Sequence, residues 1–156
     1  MRWVGSLSVG WEAVVAEEAS SPHPSALAAL LAVQGRVGYV PAEALVAIEA
    51  QLGVPKAELF GVLGFYSDLR TQPPGRHVLR VCLGDSCYAR QSPKVLAAAQ
   101  KALGCQSGQT DKRGAVTLGT VYCLGNCARS PSVELDGEVI GDVSPAKLTK
   151  VLGGLK

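Results

Sequence analysis

Apolar residues recur at helical spacing through the first half of the chain and change to alternation in the second. Trp11 to Ala19 reads as a helix that ends at Ser20-Ser21-Pro22-His23-Pro24. A second helix follows Ser25, whose hydroxyl can accept a free amide proton of the first turn, and it carries Leu27, Leu30, Leu31 and Gln34 on neighbouring turns. Gly35 to Gly38 is expected to break it. Pro41 is expected as the first residue of a third helix through about Leu52, because proline lacks an amide proton that would go unbonded there anyway. Leu45, Ile48 and Leu52 fall on one face of that helix, with Glu43 and Glu49 on others, and Gly53 is placed to cap its end. Pro55 opens a fourth helix, with Leu59, Val62, Leu63 and Tyr66 at helical spacing.

Thr71 to Arg76 reads as a boundary, since its two prolines and one glycine continue neither a helix nor a central strand. It divides the chain into an N-terminal helical domain, 1–73, and a second domain, 74–156. His77 to Cys82 alternates like a strand. Ser92-Pro93 starts a helix with Val95, Leu96, Ala99 and Leu103 as its buried stripe and Gly104 at its end. Ala115 to Tyr122 is a second strand. Ser132 to Leu135 and Glu138 to Ile140 flank Asp136-Gly137, a strong hairpin signal. Ser144-Pro145 caps a last helix through Leu152. From Arg76 the order is therefore β-α-β-β-β-α. A parallel crossover unit completed by a hairpin and a helix makes a small α/β sandwich, and that order resembles a thioredoxin-like domain.

Composition narrows the function classes. Apolar residues make up 47% and charged residues 18%, which supports a packed core and argues against disorder. The net charge of +2 comes without a basic block, so neither nucleic acid nor an anionic membrane is indicated as a partner. The longest strongly apolar stretch, Ala26 to Val33, is too short to span a bilayer. The N-terminus has no apolar run followed by a small-residue cleavage site, so it does not read as a signal peptide. A cytoplasmic location is the default expectation, and there clustered cysteines serve metal binding or catalysis more often than disulfides.

Four of the five cysteines fall in two similar loops. Val81-Cys82-Leu83-Gly84-Asp85-Ser86-Cys87 and Tyr122-Cys123-Leu124-Gly125-Asn126-Cys127 each follow a strand-like run and open with Cys-Leu-Gly. Three chemistries compete for them. A dithiol redox site usually has C-x-x-C at a helix start, and neither pair has that spacing. Structural zinc tolerates the observed spacings. A [2Fe-2S] cluster suits four thiolates offered by loops, and C-x4-C is one element of the plant-type ferredoxin pattern, although the full pattern is absent. Gly84 and Gly125 either let amide protons approach cluster sulfurs or simply terminate strands. Arg90 and Arg129 follow the loops and are either cations that raise a cluster's potential or ordinary surface arginines. Cys105 lies apart and reads as a small buried hydrophobe. His23 and His77 have no carboxylate or cysteine neighbour in a catalytic spacing. With no nucleotide, phosphate or nucleophile motif, the chain by itself reads as non-catalytic.

These motifs resemble those of the thioredoxin-like [2Fe-2S] subunits of NADH:quinone oxidoreductase, bidirectional hydrogenases and NAD-dependent formate dehydrogenases. The resemblance covers about Gly35 to Leu152. It rests on Gly38-Tyr39-Val40-Pro41, Gly64-Phe65-Tyr66-Ser67-Asp68-Leu69, Pro74-Gly75-Arg76, the two cysteine loops and Ser130-Pro131. It implies a thioredoxin-like [2Fe-2S] ferredoxin domain behind a small helical bundle, with Cys82, Cys87, Cys123 and Cys127 as cluster ligands. Pro74 to Val78, Leu103-Gly104-Cys105 and Val121 to Gly125 look most like the gamma subunit of cytosolic molybdenum- or tungsten-dependent formate dehydrogenase. That likeness implies a complex that oxidises formate and reduces NAD+. A flavoprotein partner subunit would carry FMN, a [4Fe-4S] cluster and the NAD site, and a larger catalytic dehydrogenase subunit would carry the molybdenum or tungsten cofactor. Two departures are Ser130, where the family often has alanine, and the loop Tyr88 to Pro93, which lacks the usual glycine-containing helix start. Phe65 and Tyr66 are expected to pack where the helical and α/β parts meet; the alternative is an anchor for the flavoprotein subunit.

Overall fold

Residues 10–155 are described by the computed structural model of the chain, so the stretch read above for a signal peptide lies largely outside them, at residues 1–9. Two compact units divide the chain, Met1–Pro73 and Pro74–Lys156.

The first unit contains α1 (Trp11–Ala19), α2 (Ala26–Val37), α3 (Ala42–Leu52) and α4 (Lys56–Phe65). Their apolar faces bury Val15, Leu30, Val33, Val40, Ile48 and Leu59. Each such side chain contributes about 1.5–3 kcal/mol relative to exposure. Ser25 caps α2 by accepting the Ala28 amide proton at 3.1 Å. That helix does not break at Gly35; it runs to Val37 and stops at Gly38, whose φ is +89°. An isolated glycine costs a helix about 1 kcal/mol, less than the burial of Leu30 and Val33 in the same helix returns. Pro41 and Pro55 stand one position earlier than expected, as the residues before the first turns of α3 and α4. Gln34 ties down the segment after α4, donating to the Asp68 carbonyl and accepting the Arg70 amide proton, both at 2.7 Å. Phe65 and Tyr66 lie outside the apolar core of this unit. Their rings meet edge to face with centroids 5.0 Å apart, and Phe65 is 80% exposed.

The second unit runs β1 (His77–Cys82), α5 (Asp85–Ala89), α6 (Ser92–Leu103), β2 (Val116–Val121), a 3-10 turn (Cys127–Arg129), β3 (Val133–Leu135), β4 (Glu138–Ile140) and α7 (Pro145–Gly153). The sheet order is β2-β1-β3-β4. β1 and β2 are parallel, whereas β3 is antiparallel to both β1 and β4. Asp136 and Gly137 both take positive φ, 52° and 89°, as a two-residue hairpin of this kind requires. α6 packs on β1, β2 and α7, enclosing Leu79, Val81, Val95, Leu118, Val133 and Leu148. Ser144 accepts the Lys147 amide proton at 3.2 Å and caps α7. Two side-chain pairs lock the hairpin to β1. Arg80 Nη2 donates to both carboxylate oxygens of Glu134, at 2.6 and 2.8 Å. His77 Nδ1 lies 2.6 Å from Asp136 Oδ2, so His77 does have a carboxylate partner, one distant in sequence.

Candidate metal centre

Parallel pairing brings the two cysteine loops together. Cys82 ends β1 directly opposite Val121, which ends β2. The chain therefore leaves both strands at the same edge, and the Leu83 amide donates to the Val121 carbonyl at 2.7 Å. Gly84 follows at a point of backbone contact, where a Cβ would collide with the Tyr122 carbonyl oxygen. Its role is close approach, since its φ of −62° is open to any residue. The next five residues form α5, a helix that was not evident from the sequence, and it buries Cys87. In the second loop Gly125 has φ +73°, a value that glycine reaches without strain. This turn lets the Gly125 amide donate to Cys123 Sγ at 3.3 Å. The 3-10 turn begins at Cys127 and sets its sulfur 4.0 Å from that of Cys123.

The thiols differ in their surroundings. Cys82 and Cys87 are buried, and Cys123 and Cys127 are exposed. Burial pushes the Cys82 thiol up, against the Gly84 and Leu124 amides, while its neighbour Cys87 pushes the same way as burial. Burial also opposes ionisation of Cys87. There the Ser130 hydroxyl, the Cys82 thiol and the Ser132 amide outweigh it, so the Cys87 thiol ionises more readily than usual. Cys127 is raised by its hydrogen bond to Cys123 and by that neighbour's charge; Cys87 adds a smaller contribution of the same sign. Leu124 of the second loop thus acts on Cys82 of the first, and Cys87 acts on Cys127.

Two serines join the loops from below. Ser130, 3% exposed, donates to the Cys127 carbonyl at 2.7 Å. Its oxygen lies 2.9 Å from Ser86 Oγ, and the Cys87 thiol donates to it at 3.6 Å. Ser130 had no role in the site on sequence grounds; its contacts with Ser86 and Cys87 span more than forty positions and carry no local signal. Of the flanking cations, Arg129 Nε pairs with Asp142 Oδ2 at 2.9 Å. Arg90 lines an open cavity of about 340 Å³ with Lys94, Ser130 and Asp142. Cys105 packs in the α/β core and donates its thiol to the Gln109 carbonyl at 3.7 Å.

The four thiols come as two pairs, Cys82 with Cys87 and Cys123 with Cys127. Among the described residues no group of three or more His, Cys, Asp or Glu side chains stands where it could hold one metal ion. A [2Fe-2S] cluster on four cysteines takes two thiolates at each iron, so paired donors suit it. Amide protons directed at sulfur also stabilise thiolate charge. The residues present fit such a group.

Comparison with known proteins agrees in kind. The family described as thioredoxin-like [2Fe-2S] ferredoxin matches residues 12–156. A subunit of the NADH-quinone oxidoreductase of Pseudomonas aeruginosa is 41% identical over 131 residues, spanning 84% of this chain and 79% of that protein. The HndA subunit of the NADP-reducing hydrogenase of Solidesulfovibrio fructosivorans is 31% identical over 119 residues, 76% of this chain and 70% of that one. Among solved structures, a chain of NAD+-reducing [NiFe]-hydrogenase in the air-oxidized state superposes with a TM-score of 0.67 at 20% identity over 82% of this chain. This chain spans 22% of that longer one, and the likeness is one of fold.

Proposed function

The chain belongs to the thioredoxin-like [2Fe-2S] ferredoxin family, and from that membership we propose that it serves as the one-electron-carrying subunit of an NAD-linked oxidoreductase complex. Cys82, Cys87, Cys123 and Cys127 would hold the [2Fe-2S] cluster, which when bound supplies a centre that cycles between two states one electron apart. The observation that carries this reading is the shared edge of β1 and β2, where both cysteine loops emerge side by side with amide protons directed at their sulfurs. The protein's own contribution is to hold the thiols in pairs, partly buried and hydrogen-bonded.

The exposure of Cys123 and Cys127 leaves one edge of the site open to a docked partner. Tyr122 beside it is 78% exposed. A flavoprotein subunit with FMN, a [4Fe-4S] cluster and NAD is the partner this reading calls for, together with a larger catalytic dehydrogenase subunit. The names of the relatives support the NADH-quinone oxidoreductase and hydrogenase classes of complex. The finer reading, a formate dehydrogenase gamma subunit whose catalytic partner holds molybdenum or tungsten, rests on the stretches around Pro74, Leu103 and Val121. No helix among the described residues is long and apolar enough to cross a membrane; a cytoplasmic site for the complex is part of the proposal.

Anaerobic purification with metal analysis and EPR tests the carrier role. A brown protein with two irons per chain and a single-spin signal after one-electron reduction is expected; a colourless, zinc-loaded protein would sink it. Co-purification from the native host, with NAD+ reduction assayed on formate and on hydrogen and quinone reduction assayed on NADH, selects the complex. Activity without formate-dependent NAD+ reduction would remove the finer reading and leave the carrier role standing.

A further inference from the structure

Ser130 has one hydroxyl proton and more than one neighbour able to accept it. With Cys87 as a thiol, the S–H donates to Ser130 Oγ and the Ser130 proton goes to the Cys127 carbonyl, at 3.6 and 2.7 Å. A cysteine bound to iron has lost its proton. Its sulfur is then an acceptor, and the hydroxyl faces a negative sulfur on one side and a carbonyl on the other. Ser86 makes the exchange possible. Its hydroxyl already donates to the same Cys127 carbonyl at 3.3 Å and lies 2.9 Å from Ser130 Oγ, so the carbonyl keeps a donor when Ser130 turns away.

We propose that in the cluster-loaded protein Ser130 donates its hydroxyl hydrogen bond to Cys87 Sγ, that Ser86 is left as the hydroxyl donor to the Cys127 carbonyl, and that this pair of serines raises the reduction potential of the cluster. The proposal rests on Cys87 being a ligand. Its physical basis is charge and burial. A hydrogen bond to an ionised acceptor is stronger than a neutral one, and it gains further in a site shielded from water, as Ser130 is at 3% exposure. Reduction adds negative charge at the sulfurs, so the bond is stronger in the reduced state and favours it. Ser130 is a positioning and tuning residue; it does not touch iron.

Three full-length holoprotein variants, Ser130→Ala, Ser130→Thr and Ser86→Ala, test this by EPR-monitored redox titration, with proton couplings read by pulsed ENDOR in H2O and D2O. Ser130→Ala should keep its iron and sulfide, lose one exchangeable proton coupling, and show a reduced-to-oxidised ratio about tenfold lower at a set potential, or about 59 mV for one electron. Ser130→Thr retains the hydroxyl and should stay near the wild type. Ser86→Ala should fall by less than Ser130→Ala. An intact cluster with an unmoved potential in Ser130→Ala overturns the proposal, as do equal falls in the Ala and Thr variants, which would mark a packing effect. If Ser130→Ala assembles no cluster, Ser86→Ala decides: an unmoved potential overturns the proposal, and a fall with a weakened coupling supports it. Cys87→Ala separates the two levels. Full iron and an unchanged spectrum there would defeat the ligand assignment itself.

Discussion

The cysteines occupy different electrical settings, and single substitutions should sort them. Replacing Cys82, Cys87, Cys123 or Cys127 with alanine is expected to abolish the normal cluster, measured as iron, acid-labile sulfide and visible absorption. Cys105→Ala should leave all three intact, because that thiol packs in the core and bonds a carbonyl. Asp111 has a different role. Its side chain is 2% exposed, and its carboxylate accepts amide protons from Ala115 at 2.6 Å and Val116 at 3.0 Å. Burial works against the charge, but the Val116 and Ala115 amides and the Arg113 guanidinium outweigh it and hold the carboxyl below its ordinary range. A folded-state value below the unfolded one stabilises the fold above the ordinary carboxylate pKa, and that stabilisation is lost as pH falls through the lowered value. Asp111→Ala is therefore expected to cost about 1–3 kcal/mol at neutral pH. The gap should narrow as pH drops below about 4 without closing, since two buried amides stay unbonded. Urea unfolding of both proteins across pH checks this; a gap that widens towards acid would reverse the sign.

The two loop glycines look alike in sequence and act differently in the fold. A methyl at Gly84 meets the Tyr122 carbonyl, which belongs to the backbone beyond β2 and has no rotamer to escape into. Gly84→Ala should cost about 1–3 kcal/mol by overpacking and reduce cluster content, because the loops must part. Gly125→Ala meets open space and pays only for its positive φ, about 1–2 kcal/mol. Thermal midpoints and iron content should rank Gly84→Ala as the more damaging in both. A larger loss of iron in Gly125→Ala would mean that loop shape outweighs loop contact. Among the elements, α1, β1 and the β3–β4 hairpin were legible in the sequence because their signals are local: periodicity, alternation and a two-residue turn. α5 was not, since five residues show no helical period and Asp85-Ser86 favours turns as readily.

At the level of the whole chain, the two apolar cores share no residue. One is built from residues up to Leu69 and the other from Leu79 onward. The unit Pro74–Lys156 holds both loops and its own core, so expressed alone it is expected to fold and incorporate the cluster with the visible and EPR spectra of the full chain. A fragment that stays unfolded after cluster reconstitution would show that the helical unit is needed to stabilise it. Removing the cluster from the full chain should lower its thermal midpoint, because a group bound only by the native state shifts the folding equilibrium.

The sequence by itself determined the order of the longer helices and the strands, the cysteine spacing and a short list of groups those thiols suit, because periodicity, turn chemistry and donor identity act over a few residues. Tertiary structure decided what depends on strand register and long-range approach. It set Cys82 opposite the end of β2, made Gly84 a contact point, and turned Leu124 and Ser132 amides on to sulfurs of the first loop. It also joined His77 to Asp136 and Arg80 to Glu134 and placed Ser130 beneath Cys87. Each of these contacts links positions tens of residues apart, where hydrogen-bond geometry appears only once the parallel β1–β2 pair and the returning hairpin have closed.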